Sequence, residues 1–210
     1  MTNSNLRQST VEKPTNYFSA GMGVLPSETY TAKSGGVIYE FYLSGEIKAP
    51  EYYVEWFTII RNADKEDQIK IYINSGGGDL HTAIQFLRVL SETNAEITTS
   101  VEGACMSAAT IIFLCGDVKE VTPFSMFMFH NYSGGSIGKG NEMYDQAMFE
   151  RSWSLELFTQ IYSGFLLDDE IEAMLDGKDV WLTSQQVLER LKALHKTQEE
   201  AINLILDEEE

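Results

Sequence analysis

Three residue types in this chain could combine into acyl-transfer chemistry: a serine among small residues, a histidine at a strand end, and an acid beside apolar neighbours. Ser107 sits in Gly103-Ala104-Cys105-Met106-Ser107-Ala108-Ala109-Thr110, where small residues crowd the expected start of a buried helix. A hydroxyl at a helix start lies beside unpaired N–H groups and the positive end of the helix dipole, which stabilise the oxyanion formed when that oxygen attacks an acyl carbon. The bland role for the same residue is to cap the helix. Serine needs a base, and there are 3 histidines to supply one. His81 opens a helix after a glycine run and His195 lies in a charged C-terminal region. His130 ends an apolar strand just before a Gly-rich loop and is the best base; the alternative is a core histidine satisfied by backbone. A buried carboxylate would hold the imidazole tautomer. Asp179, next to Val180-Trp181-Leu182, fits that need, with Asp176 as the alternative.

The glycines at Gly76, Gly77 and Gly78 form either a tight strand-to-helix turn or a backbone bare enough to offer N–H donors to a carbonyl oxygen. They do not make a dinucleotide fingerprint, because His81 stands where Gly or Ala is needed. Gly138-Lys139 lacks the first Gly and the Ser/Thr of a phosphate loop. ATP hydrolysis by this chain is not expected. Cys105 and Cys115 show no CxxC or Cys/His spacing and read as buried thiols of a reducing compartment rather than a disulfide or zinc site.

These residues must be positioned by alternating elements. Val37 to Leu43 reads as a strand, and Tyr53, Trp56, Phe57 and Ile60 repeat as on a helix. Ile69 to Asn74 is a second strand, followed by a helix with Leu80, Ile84 and Leu87 as its inward stripe. Further strands are expected at Ile97–Val101, Asp117–Val121 and Ser125–Phe129, with an apolar helix over Met106–Leu114. Such alternation favours crossover connections, a largely parallel sheet and an α/β fold. Between Gly140 and Gly164 no Pro or Gly intervenes, and Phe149, Trp153, Leu157 and Ile161 recur every four residues. That predicts a helix of about 35 Å whose aromatic stripe packs, partly against another subunit.

With 210 residues and 43% hydrophobic content, one domain with a substantial core is expected. The formal charge of −17 would repel phosphate backbones and anionic lipid, so neither nucleic acid nor membrane is expected as partner. The first eighteen residues lack an apolar h-region, and Gly103–Gly116 falls short of the roughly 20 residues a membrane span needs. A cytoplasmic protein is expected. Residues 1–35 read as a flexible or partner-contacting segment, 36–198 as the catalytic domain, and 199–210 as an acidic tail.

Over roughly residues 37 to 187 the chain resembles the Clp protease proteolytic subunit family. Ile73-Asn74-Ser75-Gly76-Gly77-Gly78 is similar to that family's I-N-S-P-G-G, and Gly103-x-x-x-Ser107 to its G-x-A-A-S-M-G. His130 with Gly134, Gly135, Gly138 and Glu142 resembles H-x-x-x-G-G-x-x-G-x-x-x-D/E, and Asp179 with Thr183-Ser184 resembles D-x-x-x-S-A. The departures are Gly76 for Pro, Ala108-Ala109 for Met-Gly, and His130-Asn131-Tyr132 for His-Gln-Pro. The resemblance implies the ClpP/crotonase-like fold, with repeated β-β-α units, a protruding handle helix at about 141–163 and a small outer strand pair. It implies a Ser107, His130, Asp179 triad, an oxyanion hole from the N–H groups of Gly78 and Ala108, and substrate binding by Gly77, Gly134 and Gly135. It further implies heptameric rings stacked as a tetradecamer, a separate AAA+ unfoldase, polypeptide substrates, and no cofactor or metal. Two other readings share the architecture: a crotonase-like acyl-CoA enzyme, and a non-catalytic ring subunit that modulates a host protease.

Overall fold

Ile69, Ile71 and Ile73 alternate with polar or half-exposed residues, so one face of their strand is buried and the other is not. That strand is the middle of the sheet. In the computed structural model, which describes residues 27–33 and 35–208 with side chains from 35 to 197, the strands are β1 (Ser27–Lys33), β2 (Gly36–Ile47), β3 (Gln68–Gly78), β4 (Glu96–Met106), β5 (Val118–Val121), β6 (Met126–Phe129) and β7 (Val180–Thr183). Their order is β1-β2-β3-β4-β6-β7, with β5 also paired to β4. The pairings from β2 through β6 are parallel, and the outer pairs β1/β2 and β6/β7 are antiparallel. The fold is α/β, as expected. Helices α1 (Val54–Asn62), α2 (Leu80–Glu92) and α3 (Ala108–Leu114) fill the first crossovers, and α4 (Gly140–Tyr162), α5 (Asp168–Leu175) and α6 (Ser184–Glu208) follow.

Several elements run differently from the sequence reading. The segment expected to be flexible over 1–35 lies mostly outside the described residues, yet its 27–33 portion forms β1 against β2. Strand β3 does not stop at Asn74: its pairing with β2 continues to Ile47 opposite Gly78, beyond a register shift at Ser44/Glu46. Strand β4 likewise runs to Met106, where a helix had been expected.

The inward stripe of α2 is rotated from Leu80, Ile84 and Leu87 to Thr82, Ala83, Phe86, Val89 and Leu90. Thr82 is buried with its single hydroxyl hydrogen shared between two acceptors, Lys48 O and Asp79 Oδ1, both at 2.8 Å, while Asp79 also caps the helix by accepting from the Thr82 N–H. Phe86 then meets Tyr53, Trp56 and Phe57 edge-on, with centroids 4.9 to 6.1 Å apart, closing the core between α1 and α2.

Helix α6 is tied to α5 by a two-point ion pair: Arg190 Nη1 and Nη2 donate to Glu170 Oε2 and Oε1 at 2.6 and 2.7 Å. The guanidinium first, and the Leu167 N–H after it, hold the Glu170 carboxyl below its ordinary value against the opposing effect of burial. A lowered folded value means stability that is fully present above the unfolded carboxyl pKa near ~4.3 and lost as pH falls through the folded value. Glu170→Gln is expected to cost about 1–2 kcal/mol at neutral pH, or roughly 3–6 °C in Tm. Thermal melts at pH 7 and pH 3 check this: the gap between parent and variant should be open at the first and narrow at the second.

Candidate active site

The carboxyl ends of β3, β4 and β6 converge on one edge of the sheet, the usual location of a site in an open parallel sheet. Met106 pairs with Met128, and the Ser107 N–H donates to Met128 O at 2.8 Å, so the residues following each strand emerge side by side. His130 Nε2 and Ser107 Oγ lie 2.6 Å apart. The two were separated by 23 positions in sequence and by one strand crossover; parallel register brings them into contact.

Ser107 precedes α3 but its side chain makes no capping hydrogen bond, so the hydroxyl is committed to the imidazole instead. Its backbone has φ 54 and ψ −130, an uncommon conformation for a residue with a side chain, costing about 1–3 kcal/mol. It makes a sharp strand-to-helix turn between β4 and α3, with the side chain at its apex. Gly77 makes the turn feasible. A Cβ there would lie 2.6 Å from Ser107 Cβ and 2.8 Å from Met106 O. Gly77 is thus buried behind Ser107 rather than on the cleft surface, while Gly78, Gly134 and Gly135 line the cleft with Ala108. The Ala108 N–H is the first of α3 and makes no hydrogen bond to protein among the described residues.

The acid stands differently from the expectation of a buried carboxylate. Phe129 pairs with Val180 at the end of the β6/β7 ladder, and His130 and Asp179 are the residues that flank this last pair. Asp179 is nevertheless exposed and, among the described residues, makes no hydrogen bond to the imidazole; it follows the Gly177 turn at φ 91 and leads into the edge strand β7. Asp176 ends α5 and is also exposed.

The cleft in front of Ser107 has a volume of about 760 Å³. Its wall includes Phe149, Trp153, Phe158 and Tyr162 of α4, with Tyr132 and Glu150. The buried face of α4 lies one residue on from the expected stripe: Ser154, Phe158 and Tyr162 are buried, whereas Trp153, Leu157 and Ile161 are half-buried and Phe149 is 69% exposed and faces the cleft. His81, set aside in the sequence, also lines the cleft, its ring stacked on Trp153 at 6.3 Å. An aromatic every four residues carries no mark of whether core, cleft or neighbour receives it. His195 lies on α6, outside this cleft. Among the described residues no cluster of His, Cys, Asp or Glu is placed to hold a metal ion, and no helix is long and apolar enough to cross a membrane. Both cysteines are free thiols; burial pushes Cys115 up to about 12 and Cys105 up as well.

A family model for Clp protease matches residues 42–190. The ATP-dependent Clp protease proteolytic subunit of Bacteroides fragilis is 27% identical over 132 residues, covering 61% of this chain and 63% of that protein. Its counterpart from Bacteroides thetaiotaomicron is 27% identical over 131 residues, covering 61% and 59%. That from Chlorella vulgaris reaches 32% over 89 residues, covering 41% and 44%. The chain thus spans about three fifths of the length of the first two relatives. The matched region takes in every strand from the middle of β2 to β7 and the serine and histidine that meet at their ends, and the chain belongs to the Clp protease family.

Proposed function

We propose that this chain is a serine endopeptidase that cleaves unfolded polypeptides or short peptides through Ser107, His130 and Asp179. The observation that carries the reading is the 2.6 Å contact between a serine hydroxyl not used for capping and an imidazole nitrogen, at the mouth of a large cleft. Ser107 Oγ attacks the scissile carbonyl as its proton passes to His130 Nε2. The carbonyl oxygen, now an oxyanion, is received by the N–H groups of Gly78 and Ala108. His130 returns the proton to the departing amine, and water then cleaves the acyl ester by the same steps in reverse roles.

Asp179 joins the pair by side-chain rotation in this reading; its support is that Asp179 and His130 flank the last β6/β7 pair, Phe129 with Val180. Asp179→Asn is expected to lower kcat by between about 10²- and 10⁴-fold, with little change in KM. Steady-state kinetics on a fluorogenic peptide check this; an unchanged rate removes Asp179, and an equal loss in Asp176→Asn with Asp179 intact reassigns the role.

Assembly into heptameric rings stacked as a tetradecamer is part of the proposal. Met143, Tyr144, Met148 and Leu155 project from α4 at 38 to 65% exposure, apolar surface that a neighbouring subunit would cover. A separate AAA+ unfoldase would supply the ATP-driven step. The exposed Asp179 favours one rival, a non-catalytic ring subunit whose triad stays unassembled.

Fluorophosphonate labelling with native mass measurement separates the readings. The expected result is an oligomer bearing one adduct per chain at Ser107, absent in Ser107→Ala. Assembly without labelling or turnover would establish the non-catalytic subunit, and binding of a CoA ester without labelling would favour acyl-CoA chemistry.

A further inference from the structure

Ser107 holds an uncommon backbone conformation, φ 54 and ψ −130, so its neighbours must over-determine it. Its N–H is fixed by Met128 O, and its carbonyl receives two donors from one residue: Thr110 N–H at 2.9 Å and Thr110 Oγ1 at 2.7 Å. The hydroxyl of Thr110 has a single hydrogen, spent on that carbonyl. Tyr162, whose Oη lies 2.8 Å from Thr110 Oγ1, therefore donates to it. The result is a buried relay from the last residue of α4 through Thr110 to the Ser107 carbonyl. Thr110 is 0% and Tyr162 1% exposed, and the phenol is wrapped by Phe129 and Phe158 at 5.3 and 5.7 Å.

The Ser107 carbonyl and the Ala108 N–H belong to one planar peptide and point in opposite directions. Clamping the oxygen toward the core consequently fixes the N–H on the other side, and Ala108 lines the cleft. What the Thr110 hydroxyl adds over a methyl group is its hydrogen bond to the Ser107 carbonyl, itself supported by Tyr162. We infer that Thr110 and Tyr162 are positioning residues for the oxyanion-binding amide, holding the Ser107–Ala108 peptide with its N–H aimed at the carbonyl oxygen of the substrate. The inference rests on the reading of Ser107 as nucleophile and extends it to residues 3 and 55 positions further along the chain.

The test uses the full chain with Thr110→Val, Thr110→Ser, and the double variant Thr110→Val/Tyr162→Phe. The double variant leaves neither hydroxyl buried without a partner, so its folding is protected while the Oγ1 half of the clamp is gone and only the backbone N–H of position 110 still holds the Ser107 carbonyl. It is expected to lose about 10- to 100-fold in kcat at near-constant KM, less than the roughly 10²- to 10³-fold typical of removing an oxyanion donor outright. It should bind a peptide aldehyde, whose hemiacetal oxygen occupies the oxyanion position, more weakly by a similar factor, yet bind the cleaved product peptide as the parent does. Thr110→Ser, which keeps the hydroxyl, should recover to within about threefold of the parent. Parental kcat in the double variant, or equal weakening of aldehyde and product, overturns the inference. Crystal structures give a readout independent of turnover: the Ser107–Ala108 peptide should rotate in the double variant, and an unmoved peptide also overturns it. A parent that is never labelled at Ser107 would instead sink the proposed nucleophile, while the peptide rotation still decides the role of the clamp.

Discussion

Exchanging Ser107 for alanine is expected to lower peptide turnover by roughly 10⁴- to 10⁶-fold while leaving KM and the melting temperature close to those of the parent. The size of the loss follows from what remains. In the proposed mechanism no acyl ester forms without the hydroxyl, and water must attack a carbonyl held only by the Gly78 and Ala108 amides, which retain part of the rate enhancement. The small effect on stability follows from the site itself. Alanine suffers at φ 54 much as serine does, and the one interaction removed is the 2.6 Å hydrogen bond to His130 at a half-buried position. Adding His130→Ala to the variant should cost little more, because the two act as one unit and neither works alone. Single-turnover measurements with a peptide ester, alongside melts of each variant, check both halves of the expectation. Turnover of Ser107→Ala at the parental rate would mean that another group attacks the carbonyl.

The serine and histidine were legible because composition marks each place: small residues from Gly103 to Thr110 at the start of an apolar helix, and a Gly-rich loop after the strand that leads to His130. Parallel register then does the rest. What could not be read depends on features without a local signature. Gly76 to Gly78 looked like a turn, yet the strand continues through them because Gly78, lacking a Cβ, admits the Ile47 backbone where that Cβ would come within 2.3 Å. The phase of α2 was misjudged because a threonine with two hydroxyl partners buries as readily as an isoleucine. Asp179 was expected to be buried because its neighbours are apolar, but it is exposed where the chain leads into the edge strand β7. The contact of Thr110 with Tyr162 spans 52 positions and two intervening strands, so no periodicity announces it.

A second large effect is expected at Gly77, which is buried behind Ser107. Gly77→Ala should reduce kcat by about 10²- to 10⁴-fold, the range reached when a reacting group is displaced by about 1 Å or more. Two costs coincide at this position. The backbone has φ +95, which disfavours any L side chain, and the new methyl would fall 2.6 Å from Ser107 Cβ, 2.8 Å from Met106 O and 3.1 Å from Ser107 Oγ. None of these atoms is the far end of a flexible chain. Relief must come from moving the turn that carries Ser107, and the 2.6 Å contact with His130 has no slack to follow it. The neighbouring Gly76 provides the contrast: a Cβ there meets nothing within 4 Å and its φ is not in the left-handed region, so Gly76→Ala should stay within a few-fold of the parent. Probe-labelling rates for both variants, with thermal melts to exclude unfolding, make the comparison direct. A folded Gly77→Ala labelled at the parental rate would show that the serine is not held by the glycine strand behind it, and the geometry assigned to the nucleophile would have to be abandoned.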